Sequence, residues 1–177
     1  SWGSVSEVGA PKTRAVAGPV TIPARPITEV ETREHSRSSS GVAELDRVLG
    51  GGLVPGAAIL LAGEPGVGKS TLLLEVAAQT ARAGRTVLYV TGEESTAQVR
   101  LRAERTGALT DKLYLAAETD LGAVLTHVET VRPDLLIVDS VQTIATAEIE
   151  GAPGGVTQVR EVSAALVRIA KTRDLTT

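Results

Sequence analysis

An α/β fold with a mainly parallel sheet, covered by helices on both faces in three layers, is what the sequence predicts from three observations. Apolar runs of strand length alternate strictly with segments of helical period from residue 57 onward, the pattern of parallel strands joined by crossover helices. A glycine-rich turn, Gly63-Glu-Pro-Gly-Val-Gly-Lys-Ser70, separates the first such run from the first long helix. The chain has 177 residues and no Cys, so its core must hold it without disulfides. A chain of this length buries roughly 70% of its unfolded surface and meets that demand.

Residues 1–40 contain Pro11, Pro19, Pro23, Pro26 and the run Ser36-Arg-Ser-Ser-Ser40, without a sustained period of either kind. They read as an extended leader. No signal-peptide pattern opens the chain, and the lack of an initiating Met is expected of an excised or processed segment. The domain is expected over 41–177. It starts with a short amphipathic helix carrying Val42, Leu45, Val48 and Leu49, with Ser40 as its cap and Gly50-Gly-Gly52 as its stop.

Ala57–Ala62 is then expected as a buried strand, Ser70–Ala83 as a helix and Thr86–Thr91 as the second strand. Ser95–Thr106 follows as a helix, Leu113–Leu115 as a short strand, and Leu121–Val131 as a helix. Leu135–Val138 is the fourth strand, and after the loop Gly151-Ala-Pro-Gly-Gly155 a last helix runs from Val156 to about Lys171. Leu175-Thr-Thr177 stands where a further strand would begin. The sheet is therefore expected to be cut at its C-terminal strands and to expose an edge.

Composition excludes several functions. Eighteen Lys+Arg against 21 Asp+Glu give a net charge of −3, so no uniformly basic nucleic-acid surface is expected. Trp2, Tyr89 and Tyr114 are the whole aromatic complement, too few for a stacking platform along a single strand. Without Cys there is no thiolate zinc site and no cysteine nucleophile, and His35 and His127 alone make a histidine metal cluster improbable. No apolar run approaches the length of a membrane span.

The glycine-rich turn matches Gly-x4-Gly-Lys-Ser/Thr in the required context, after a strand and opening a helix. Gly63, Gly66 and Gly68 let successive backbone N–H groups face one anion, to which the helix N-terminus adds its dipole. Lys69 places a charge at the β- and γ-phosphates of a nucleotide, and the Ser70 hydroxyl suits Mg²⁺. Asp139, closing the apolar run Leu135–Val138, falls at the carboxyl edge of the sheet and suits the same ion. Gly92-Glu-Glu-Ser95 ends the second strand at that edge. Either Glu93 or Glu94 can orient and deprotonate an attacking water, Glu93 being favoured, or both simply complement the next helix dipole.

Arg100, Arg102 and Arg105 on one helix, and Arg160, Arg168, Lys171 and Arg173 on the last, are either phosphate contacts or a solvated face. Gln142 and Gln158 flank the loop after Asp139. They either sense a γ-phosphate, touch DNA, or supply ordinary loop polarity.

Taken together, Gly50-Gly-Gly-Leu-Val-Pro-Gly56, the phosphate loop, Thr91-Gly-Glu-Glu-Ser95 with Gln98-Val-Arg-Leu-Arg-Ala103, Val138-Asp-Ser-Val-Gln-Thr143 and Pro153-Gly-Gly-Val-Thr-Gln-Val-Arg-Glu161 resemble the bacterial RadA (Sms) family. The likeness runs from about Arg37 to the last helix. It implies a RecA-like P-loop ATPase of recombinational DNA repair. Such an enzyme is a homo-hexamer that moves on single-stranded DNA, extends recombination intermediates by branch migration, works with the RecA recombinase and resides in the cytoplasm.

By position, the resemblance assigns ATP and ADP to Gly63, Glu64, Pro65, Gly66, Val67, Gly68, Lys69, Ser70 and Thr71. It assigns catalysis to Glu93 with Lys69 and Glu94, magnesium to Ser70 and Asp139, and a DNA-facing loop to Gly151–Arg160 with Gln158 and Arg160. The family's four-cysteine zinc motif, Lys-Asn-Arg-Phe-Gly motif and Lon-protease-like domain do not occur within these residues, so zinc is expected only in that motif. Rival readings are a KaiC-like or replicative-helicase-like ATPase, a small-molecule kinase, or a nucleotide-gated assembly module with negligible turnover.

Overall fold

The computed structural model describes residues 15–30, 37–64 and 68–177. Two units separate along the chain, 1–34 and 35–177. In the first, the described residues are exposed and carry one 3-10 turn at Ile27–Glu29. The boundary falls before residue 40 because Ser38 and Leu53 exchange backbone hydrogen bonds of 2.8 and 2.7 Å, which tie residues 37–40 to the second unit.

That unit begins with α1, Ala43–Val48. Ser40 does not cap it as expected: the N-cap is Val42, without a side-chain cap bond. The order is reversed, since Asp46 inside the helix accepts from the Ser39 hydroxyl at 2.6 Å and the Ser40 amide at 2.8 Å. These bonds, the Ser39 hydroxyl foremost, hold the Asp46 carboxyl below the usual carboxylate range.

Three strands follow, β1 Val87–Thr91, β2 Leu113–Ala117 and β3 Leu135–Asp139, all parallel in the order β2-β1-β3. Their helices are α2 Lys69–Arg82, α3 Thr96–Arg105, α4 Leu121–Val131 and α5 Val156–Arg173. Local chemistry fixes the helix ends. Ser95 and Gln98 form a reciprocal capping box on α3, and Asp120 accepts from the Ala123 amide at 2.9 Å on α4, satisfying amides that the first turn leaves unpaired.

The period of two along β1 divides the core. Val87 and Tyr89 face α2 and α3, packing with Leu74, Ala77, Ala78, Val99 and Ala103. Leu88 and Val90 face α4 and α5, packing with Val124, Val128, Val162 and Leu166. Alanines on α2 bring its backbone close to the sheet, and every residue of β1 is buried. This is the three-layer arrangement of the sequence expectation.

One expected strand does not form. Ala57–Ala62 has no assigned strand, and Leu60 is 80% exposed. Its pairing is limited to Ile59 N–H donating to the Thr177 carbonyl at 2.7 Å and Thr177 N–H donating to the Ala57 carbonyl at 2.9 Å. Leu175–Thr177 also do not leave β3 bare: Leu136 N–H donates to the Thr176 carbonyl at 2.8 Å, and Leu175 and Thr176 are buried. The last residues thus lie between β3 and Ala57–Ile59, and two hydrogen bonds are too few to make a regular strand of the latter.

Candidate functional site

The parallel register carries Thr91 and Asp139 to the same level at the carboxyl edge of the sheet. Gly68, with φ +86°, is the residue from which α2 starts. That left-handed conformation is open to glycine at little cost and delivers Lys69 and Ser70 to the same edge. The Lys69 ammonium donates to the carbonyls of Gly63 at 2.8 Å and Glu64 at 2.6 Å. Ser70 Oγ donates to Asp139 Oδ2 at 2.6 Å. Residues distant in sequence, both chosen from motif alone, therefore meet. Pro65, Gly66 and Val67 lie outside the described residues, and Thr71 is exposed on the first turn of α2.

Magnesium in such a loop is held by few protein oxygens plus phosphates and water. The donor set fits: one hydroxyl and one carboxylate in contact, both hard oxygen ligands. Among the described residues no cluster of three acidic or imidazole groups competes as a protein-only cage.

Tyr89, unmarked by any motif, joins this pair by donating from its hydroxyl to the same Asp139 Oδ2 at 2.9 Å. Burial first, and then the Asp139 charge, push its pKa far above the usual phenol value, so it stays a donor throughout the physiological range. The available signal was one hydroxyl in the otherwise apolar run Val87–Val90, facing the neighbouring strand that ends in Asp139.

The two adjacent glutamates differ. Glu94 is paired with Arg102 of α3 at 2.8 Å, both about one-third exposed. The contact is ionic and not aligned as a hydrogen bond, since Arg102 Nε and Nη2 find no hydrogen-bond partner among the described residues. The Glu94 amide and carbonyl both engage the Thr91 hydroxyl at 3.1 Å, closing the turn. Glu93, at the tip of that turn, is exposed and makes no ion pair among the described residues.

Gly92 donates its amide to the Asp139 carbonyl at 3.0 Å. A Cβ at Gly92 would fall on the Thr143 side chain, which follows Asp139 in a 3-10 turn at Val141–Thr143. The peptide Asp139–Ser140 is cis.

Gln158 departs from the expectation of a DNA contact. It is 1% exposed, and its amide is spent on the loop before α5. Its Oε1 accepts from Thr146 N–H at 2.9 Å, while Nε2 donates to the carbonyls of Ile149 at 2.7 Å and Thr146 at 3.1 Å. Arg160, two residues on and about half a turn round α5, is exposed. Gln142 is exposed beside Gly154, so the Gly151–Gly155 loop adjoins the turn that follows Asp139. Of the remaining cations, Arg100 pairs with Glu104 at 3.3 Å and Arg173 with Glu129 at 3.2 Å, as a solvated face would. His127 meets Glu118 at 2.8 Å, and His35 lies outside the described residues. A cleft of about 350 Å³ at the other end of the sheet, lined by Val128, Arg132, Pro133, Arg173 and Leu175, holds neither the phosphate-loop residues nor Asp139, Glu93 or Glu94.

A family model described as AAA domain matches residues 24–177. The chain is 54% identical over 181 residues to the DNA repair protein RadA of Mycolicibacterium smegmatis, covering 97% of this chain and 38% of that protein. It is 53% identical over 182 residues to the protein of the same name from Mycobacterium tuberculosis, covering 98% and 38%. For Streptococcus pyogenes the figures are 48% over 163 residues, covering 92% and 36%. The resemblance seen in the motifs thus extends over nearly the whole chain, which spans less than two-fifths of the length of these curated relatives.

Proposed function

This chain belongs to the AAA domain family, and on that premise we propose that it is the ATP-binding and ATP-hydrolysing core of a DNA repair protein. The observation that carries the reading is the contact of Ser70 with Asp139 at 2.6 Å beside a loop-held Lys69. A phosphate-loop hydroxyl and a strand-end carboxylate are the protein's two contributions to a nucleotide-bound magnesium ion.

Lys69 enters with its ammonium resting on two carbonyls. Binding a triphosphate exchanges these neutral acceptors for charged phosphate oxygens, and charge-assisted bonds are roughly twice as strong. Ser70 and Asp139 would hold magnesium beside the phosphates, where it would supply positive charge against the negative charge that develops in the reaction. Glu93 takes the proton of a water that adds to the γ-phosphorus. The bond from that phosphorus to the bridging oxygen breaks, and ADP leaves with the electron pair. Glu94, committed to Arg102 and to the Thr91 turn, positions the loop and does not act as the base.

In the whole protein this core drives a homo-hexameric, cytoplasmic motor on single-stranded DNA that extends recombination intermediates alongside the RecA recombinase. Support comes from the RadA name shared by the relatives and from the loop Gly151–Gly155, with exposed Arg160 beyond it, adjoining the turn after Asp139. No helix among the described residues is long and apolar enough to cross a membrane.

ATP turnover by the chain, with and without single-stranded DNA and with Lys69→Ala as control, tests the reading. Lys69-dependent turnover supports the ATPase, and its stimulation by DNA supports the motor. Turnover unaffected by Lys69→Ala overturns the first, and a rate indifferent to DNA in the whole protein overturns the second.

A further inference from the structure

Asp139 Oδ2 accepts two hydrogen bonds, from Ser70 Oγ at 2.6 Å and from Tyr89 Oη at 2.9 Å, while no bond to Oδ1 occurs among the described residues. The two donors are unequal. Ser70 is a single rotatable hydroxyl that must also serve the cation. Tyr89 is fully buried in the central strand, its ring packed among Leu74, Ala77, Val99 and Ala103.

A carboxylate torsion is broad and roughly two-fold, so without a fixed donor Asp139 turns freely. A phenol buried at this depth is unfavourable unless bonded, and phenylalanine would fill the same space. The hydroxyl therefore calls for an explanation that packing does not supply. We propose that Tyr89 is a positioning residue for the ATPase, saturating one oxygen of Asp139 so that the other is presented to the magnesium hydration shell. The inference rests on the reading of the site as a magnesium-nucleotide site.

Partners that orient a metal's own ligands are typically worth 10–100-fold in metal affinity. In Tyr89→Phe the Mg²⁺ concentration that half-saturates binding of a fluorescent ADP analogue should rise about ten-fold. Metal-free affinity for the same analogue should stay within about two-fold. A purely structural hydroxyl would lower the melting temperature and leave the Mg²⁺ midpoint in place, and that result overturns the inference.

Should Tyr89→Phe not fold, Tyr114→Phe supplies the second test, since Tyr114 is 47% exposed and the chain holds only two tyrosines. In that background Mg²⁺ added to ADP-saturated protein should shift the tyrosine ultraviolet resonance Raman bands of Tyr89, and unchanged bands overturn the inference. The underlying site reading fails separately, by Lys69→Ala binding the analogue as well as the native chain does.

Discussion

Arg102 holds Glu94 at 2.8 Å, and Glu93, its neighbour in the chain, is left exposed without an ion pair among the described residues. Two carboxylates in one motif thereby have different surroundings, one paired and one free to meet a substrate water. Glu93→Gln should slow hydrolysis about 10²- to 10⁴-fold, the usual worth of a general base, with nucleotide affinity nearly unchanged. Glu94→Gln should cost under about 1 kcal/mol of stability, since the pair is partly exposed, and slow turnover far less. Single-turnover rates beside equilibrium binding separate the two, and a reversed order would move the base to Glu94.

Gly92→Ala should destabilise the chain by about 1–3 kcal/mol, the range for forcing a methyl group into packed space. The added Cβ meets Thr143, while the Gly92 backbone is not in the left-handed region. Chemical denaturation checks this. A change below about 0.5 kcal/mol would mean that the ends of β1 and β3 have room between them.

Gln158→Leu leaves Thr146 N–H and the carbonyls of Thr146 and Ile149 without their partner. Each buried unsatisfied group costs about 1–3 kcal/mol, so a loss of about 3 kcal/mol is expected, with amide exchange rising first at Thr146. Arg160→Ala, by contrast, should leave stability within about 0.5 kcal/mol. In a DNA-binding form of the protein it should reduce the salt slope of binding by about one.

Asp46 supplies a pH test. Its folded pKa is depressed by the bonds from Ser39 and Ser40, so its contribution is complete above the ordinary aspartate value of about 3.9 and is lost as pH falls through the folded pKa. Asp46→Asn should unfold at lower denaturant than the native chain at neutral pH, and the gap should close under acid. A gap that persists at about pH 2 would assign the stability to packing.

Helix α4 was legible to the residue because both of its stops are local: Asp120 caps it and Arg132-Pro133 ends it. The meeting of Lys69, Ser70 and Asp139 at one sheet edge was legible because a glycine-rich turn opening a helix and a carboxylate closing a buried parallel strand both fall at that edge. Ala57–Ala62 misled, since an apolar run announces burial but not a partner, and among the described residues only two backbone hydrogen bonds, one donated and one accepted by Thr177, tie it to the sheet. Tyr89, the contact of Gly92 with Thr143, and the burial of Gln158 were hidden for one reason. Each depends on a residue brought near by the register of the sheet or by loop folding, which no local pattern encodes.

That Lys69 grips a triphosphate is tested most directly by isothermal titration of Mg·ATP into the native chain and into Lys69→Ala, with matching thermal melts to show that both are folded. Saturable one-to-one binding is expected, weakened about 100-fold in the variant, equivalent to ~2.7 kcal/mol for two lost charge-assisted bonds. Equal affinities in the two proteins would contradict the account, because the loop would then hold nucleotide without the ammonium that the structure places on it.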